Sequence, residues 1–151
     1  MKRIAQAWML FILLFGLAAC ADNPVQDEHS HADIAGLALE MDGQEIVVVA
    51  NAQVTGSIMV PVGEVTSDIT VEWRDPDGNH FHDEDLNAEL SLGHANNDES
   101  IATFEQHAGG GRWTFHIHGE SAGATSIELQ LFNVDHIDFR TPSIPIEVVQ
   151  P

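Results

Sequence analysis

The chain has 151 residues, with 24 Asp or Glu against five Lys or Arg, and a formal charge of −19 at neutral pH. Phosphate binding needs a basic footprint, so this balance argues against nucleic acid and against adhesion to an anionic membrane face. The length suits one domain, and a lone cysteine leaves no disulfide to hold it together in an oxidising compartment.

In chain order, Lys2 and Arg3 give a positive start, and an apolar run from Ala7 to Leu17 leads into Leu17-Ala18-Ala19-Cys20. The order of charge, apolar stretch and small residues is that of a secretory signal peptide. The last four residues resemble the lipobox of bacterial lipoproteins, and the resemblance covers the leader alone. It implies cleavage before Cys20, lipidation of that cysteine by several acyl chains, and a cell-envelope location held through the lipid. Stable anchoring needs more than one acyl chain. The common inner-membrane retention pattern has Asp directly after the cysteine. Here Ala21 takes that place and Asp22 follows, so outer-membrane delivery is expected. Residues 1–19 then form the signal peptide, 20–33 a flexible acidic tether carrying His29 and His31, and 34–151 the domain. Beyond the leader the basic residues are Arg74, Arg112 and Arg140, and the acidic excess forms a field that concentrates cations.

From residue 34 onward, short β-type runs alternate with turn signals, without a helical period. Ile34–Met41 and Glu45–Ala50 flank the hairpin signal Asp42-Gly43. Val54–Val60 ends at Pro61 and Gly63, and Ile69–Trp73 stops at Asp75-Pro76-Asp77-Gly78. Leu86–Leu92, Ile101–Gln106, Trp113–His118, Thr125–Asn133 and Ile144–Val149 complete the set. This pattern predicts an all-β fold, an antiparallel, immunoglobulin-like β-sandwich of about eight strands. A barrel or jelly roll is the competing arrangement.

All nine histidines follow the leader, and three pairs have His-x-His spacing: His29/His31, His80/His82 and His116/His118. In a strand, residues two apart share a face, so each pair can present two imidazoles together. Trp113, Phe115 and Ile117 are expected to face the core, with His116 and His118 outward. Antiparallel strands send successive loops to alternate ends of a sandwich. That rule gathers His80, His82, His107 and His136 at one end, with Asp83, Asp85 and Asp138. It gathers His94, His118 and Glu120 at the other, with His116 just inward. The first set, His80, His82, His107, His136 and Asp138, matches the nitrogen and oxygen donors of a tetrahedral Zn²⁺ site, and His94, His116, His118 and Glu120 form a second possible group. Cu²⁺ also accepts imidazole. Only Met41 and Met59 follow the leader, which disfavours a methionine-rich Cu⁺ site.

Three local motifs compete for attention. Gly119-Glu120-Ser121-Ala122-Gly123 fits G-x-S-x-G but lacks the following helix of a nucleophile elbow, so a hairpin turn is expected. Asp75-Pro76-Asp77-Gly78-Asn79 looks like the opening of a calcium loop, yet Leu86 stands where an EF-hand needs its Glu, so a β-turn is preferred. Phe115-His116-Ile117-His118 resembles the copper-binding strand of Cu,Zn superoxide dismutase over four residues. That family has further histidines, an aspartate and a disulfide, whereas here only His136 and Asp138 follow and no second cysteine exists.

The expected function is that of a non-enzymatic, lipid-anchored protein that buffers, delivers or senses a transition metal, Zn²⁺ first, with an envelope metal transporter or receptor as partner. The alternative is an immunoglobulin-like interaction module of the envelope whose histidines are incidental or sense pH. A copper redox enzyme is a third reading. The anchor is tested first: Cys20→Ser should leave an uncleaved or soluble precursor that no longer partitions into detergent.

Overall fold

A computed structural model describes residues 33–107 and 109–151; Cys20, His29, His31 and the leader lie outside them. Among these described residues, eleven strands form two sheets. The first is six-stranded, in the order β3 (Gln53–Gly56), β2 (Gln44–Ala50), β1 (Gly36–Met41), β5 (Ile69–Arg74), β8 (Thr114–Gly119) and β7 (Ala102–Glu105). The second is organised around β9 (Gly123–Asn133), which pairs with β6 (Leu90–Ala95), β10 (His136–Arg140) and β11 (Ile144–Val149). β11 also pairs with β4 (Ile58–Pro61), and this pair is parallel. The all-β sandwich is therefore present, with eleven strands instead of about eight and with one parallel pair.

Local chemistry explains most element boundaries. Asp42 and Gly43 both have positive φ, 52° and 75°, and join β1 to β2 through the two-residue loop that matches strand twist. Asn51 and Ala52 repeat that geometry between β2 and β3. The expected single run Val54–Val60 breaks into two strands, because the chain leaves one sheet for the other after Gly56. Gly56 has φ +93°, and a Cβ there would fall 2.1 Å from the Ile46 carbonyl oxygen. No side chain fits that crossing. The Gly119–Gly123 segment likewise joins different sheets, β8 to β9, so it is a crossover and not the hairpin turn expected. The run Leu86–Leu92 also changes: a 3-10 turn at Asp83–Asp85 precedes it, and the strand begins only at Leu90. β10 was not anticipated at all.

The core lies between the sheets and alternates along each strand as a half-buried sheet demands. Ile69, Val71 and Trp73 point inward from β5, Phe115 and Ile117 from β8, and Ile144, Ile146 and Val148 from β11. Leu37 and Leu39 of β1 meet Ile127, Leu129 and Leu131 of β9 in the same apolar cluster. Trp73 makes edge-on contacts with Trp113 and Phe139, at 5.6 and 6.0 Å between ring centres. Its indole N–H is buried without a hydrogen-bond partner among the described residues, a local cost that its apolar contacts offset.

One polar clamp fastens the long β5–β6 connection. Arg112, just before β8, donates to the Asp83 carboxylate and to the carbonyls of Asp83, Leu86 and Asn87. Trp113 donates its indole N–H to the same Asp83 carboxylate at 2.7 Å, and the guanidinium lies over the Trp113 ring. Both hydrogen bonds hold the Asp83 carboxyl below its ordinary range, Arg112 first.

Phe115 is fully buried and stacks on Phe104. Phe115→Ala should cost about 3–5 kcal/mol, read as a lower urea midpoint with an unchanged denaturant slope.

Candidate functional site

The outer face of β7 and β8 carries a group of ionisable side chains that the pairing brings together. β8 alternates strictly, so burial of Phe115 and Ile117 turns Thr114, His116 and His118 to the outer face, as expected from the sequence. β7 lies antiparallel to β8, with Thr103 opposite His118 and Glu105 opposite His116. On the other side β5 pairs with β8 only at Ile69 and Thr70. The irregular segment before β5 runs on alongside β8 instead, bonded at Gly63, Glu64, Thr66 and Val65. That path brings Thr66 and Asp68 to His116.

The contacts form a chain across the face. His116 Nδ1 lies 3.1 Å from the Thr66 carbonyl oxygen, and its Nε2 lies 2.9 Å from Asp68 Oδ1. The His107 ring stands 4.9 Å from the His116 ring between centres. Glu105 faces His107 Nδ1 with Oε1 at 3.4 Å and His118 Nε2 with Oε2 at 2.5 Å. His116 is the most covered of these rings, with 16% of its side chain exposed, while Asp68 is 74% exposed.

The expected ligand groups are sorted differently. Loop parity holds for the first end, since Arg112 binds the Asp83–Asn87 turn. The histidines there nevertheless do not converge. His80 and His82 stack edge-on with each other at 4.8 Å, and His107 turns to His116. His136 pairs with Asp135 and Asp138. Asp138 also accepts from Asn133. Asp83 is committed to Arg112 and Trp113, and Asp85 accepts from the His82 backbone. The second group is split by the sheet itself. His94 stacks on Phe104 at 4.1 Å, and Phe104 in turn stacks on the fully buried Phe115. His94 therefore belongs to the inner side of β7 and β8, whereas His116 and His118 are outside. Glu120 accepts from Thr103. Among the described residues, no three His, Cys, Asp or Glu side chains stand ready to hold one ion.

Asp68, Thr66 and Glu105 were missed by the sequence reading. Glu105 was accessible to it: pairing Ile101–Gln106 with Trp113–His118 as neighbours places Glu105 among the histidines. Asp68 carried no such signal, because its segment has no periodicity. The turn at Asp75–Asn79 is the expected β-turn, with the Asp75 carboxylate accepting from the backbone of Asp77 and Asn79 and from the Asn79 side chain. A separate cleft of about 320 Å³ lies between that turn and β1–β2, lined by Arg74, Asp75, Gly36 and Asn51 among others, with no histidine.

Neither a protein family nor a curated protein matches the chain. Among solved structures it is similar to the S-layer protein SbsC, domains 4 and 5, at 19% identity and TM-score 0.44, over 75% of this chain and 53% of that one. Domains 4–9 of that surface-layer protein give 16% identity and TM-score 0.49, over 78% of this chain and 14% of that one. Domains 5–6 give 18% and 0.41, over 63% and 40%. The chain thus spans about half or less of each, and likenesses of this degree carry no argument about function.

His94 supplies a pH test. Burial lowers its pKa below the ordinary 6.5, with Glu99 opposing. Between 6.5 and the lower folded value the unfolded chain binds the extra proton, so stability falls as pH drops through that window. Urea midpoints at pH 7.5 and 5.5 should differ less in His94→Phe than in the parent.

Proposed function

We propose that the chain is a non-enzymatic interaction module of the cell envelope, tethered through a lipidated Cys20, and that the β9–β10 hairpin tip is its contact surface. The leader supports the location. The histidine groups expected to hold a metal are instead engaged in separate pairs, which weakens the reading as a four-histidine zinc carrier.

One observation carries the proposal. The two-residue turn joining Asn133 to His136 begins with Val134 at φ +55°. A β-branched residue there is a steric outlier, where Asn or Gly would serve without strain. Val134 is also 70% exposed, and Ile137, three residues on, is 37% exposed. The turn thus holds an unfavourable backbone and an unfavourable surface at the same residue. Strain of this kind persists where the surface has a use, and an apolar tip beside His136 and Asp138 suits a protein partner with an apolar pocket and a polar rim.

Val134→Asn should relieve about 1 kcal/mol of strain and raise the melting temperature by a few degrees. A photo-crosslinking residue placed at Val134 in the native envelope should give one discrete adduct, and the same residue at Ala52, on another hairpin tip, should give none. Equal adducts at both tips, or none at either, would remove the proposal.

A further inference from the structure

The flank where the chain passes from the first sheet to the second carries no charge. Between Glu45 and Glu64 there is no Asp, Glu, Lys, Arg or His. From residue 33 onward this is the longest such stretch, in a chain with 24 acidic residues. It supplies most of β2 and all of β3 and β4. β3 is the outermost strand of its sheet and pairs with β2 alone among the described residues. Gln53, Thr55 and Gly56 are exposed. Gly56 has no side chain, so its exposure is exposure of backbone.

The other outer strands are protected in the ways that natural sheet edges are. β7 carries Glu105, and its Ala102 carbonyl accepts from Asn97 Nδ2. β10 carries Asp138 and Arg140, and β4 ends at Pro61. β6 leaves only Ser91 exposed and stacks His94 on Phe104 of the facing sheet. β3 has no charge, no proline and no bulge in its register with β2.

The hairpin fixes which backbone groups of β3 stand open. Asn51 and Ala52 make a two-residue turn, closed by the pair Ala50 and Gln53. The closing pair of such a turn exchanges both its hydrogen bonds, and the pairs then alternate along the ladder. Gln53 and Thr55 therefore bond to Ala50 and Val48, while Val54 and the N–H of Gly56 face the open edge. A second β3 brought up antiparallel about a two-fold axis through Thr55 sets Val54 of each copy opposite Gly56 of the other. Gly56 N–H then donates to the Val54 carbonyl of the second copy, and symmetry makes the bond twice. The Val54 side chain packs on the rim of the core, and the side chain missing at Gly56 leaves room for it across the seam. Val54-Thr55-Gly56 is thus self-complementary, as an isologous contact requires.

We propose that β3 pairs antiparallel with β3 of a second copy of this chain, joining the two six-stranded sheets edge to edge. The uncharged flank offers a cationic partner nothing to recognise, and it is where two acidic copies approach with least repulsion. A seam of four residues from each copy falls far below the roughly 1,200 Å² of a standard interface. The pairing is therefore weak in free solution and strengthens when copies are held on one membrane, as the lipidated Cys20 would hold them. That strengthening rests on the proposed anchor; the pairing itself does not.

The test is disulfide trapping in the full chain, reconstituted in liposomes and treated with a mild oxidant. Links are located by peptide mass spectrometry, so that any through Cys20 are set apart. Residues facing each other in a non-hydrogen-bonded antiparallel pair have Cα atoms about 4.5 Å apart, within the reach of a disulfide. Thr55→Cys should give a covalent dimer linked at that position. Gln53→Cys, off the axis, and Ser91→Cys, on β6, should each give at least about fivefold less, because their Cα atoms do not meet across the seam. Raising NaCl from about 20 to about 300 mM should increase the Thr55→Cys yield, since screening weakens repulsion between acidic copies. Thr55→Asp sets two like charges on the axis and should abolish the self-association of the parent seen by sedimentation in detergent, with the far-ultraviolet circular dichroism unchanged. A Thr55→Cys yield no greater than that of Ser91→Cys, a greater yield with Gln53→Cys than with Thr55→Cys, or a yield that falls as salt rises would each overturn the proposal. A photo-crosslink from Ala52 to a second copy has twice the mass of the chain, which tells it from an adduct with another protein.

Discussion

The period-two alternation of β8 is the constraint on which the rest of the molecule depends. Phe115 and Ile117 are fully buried between the sheets, and a shift of one residue would exchange them for His116 and His118. That exchange would bury two imidazoles and expose two large apolar side chains, at a cost of several kcal/mol for the apolar burial alone. The core therefore fixes the histidine face as firmly as it fixes itself. β7 then delivers Glu105 to that face by antiparallel pairing, and the segment before β5 delivers Asp68.

Electrostatics adds a second layer. Each of the three arginines beyond the leader is committed to a carboxylate: Arg74 to Glu45, Arg112 to Asp83, and Arg140 to Glu128. The Arg112 clamp differs from the others in kind. It satisfies three backbone carbonyls in addition to one carboxylate, so it organises a long connection, whereas exposed ion pairs contribute little on their own. With its cations spent in this way, the domain faces solvent with an excess of carboxylates.

The fold was legible in the sequence wherever side-chain period and turn chemistry agreed. Asp42-Gly43 marked its hairpin, Ile69–Trp73 and Ile144–Val149 marked their strands, and the Trp113–His118 alternation predicted which way two histidines point. Legibility failed where the chain changes sheet, because a crossover needs only a backbone that fits, as at Gly56, and leaves no periodic trace. It failed again at β10, where turn-like residues concealed a short strand. The candidate site was half legible. Loop parity placed residues at the correct end of the sandwich, yet an end is wide and ligands must meet within a few ångströms. Parity also carried no information about inside and outside, which is how His94 came to be grouped with rings that lie across a sheet from it.

The parallel pair β4–β11 has a consequence for how the domain assembles. Ile58 must wait for Ile146, about ninety residues later, and closing so long a loop is slow before any contact rewards it. β11 is the partner of β4 in the sheet, so during that interval β4 has both edges unsatisfied and can template pairing with a strand from another chain. Two prolines sit where they blunt this hazard. Pro61 closes β4 and Pro145 stands near the start of β11, and neither can donate to a foreign strand. The late-closing seam of the sandwich is thereby guarded against misassembly at both of its strands.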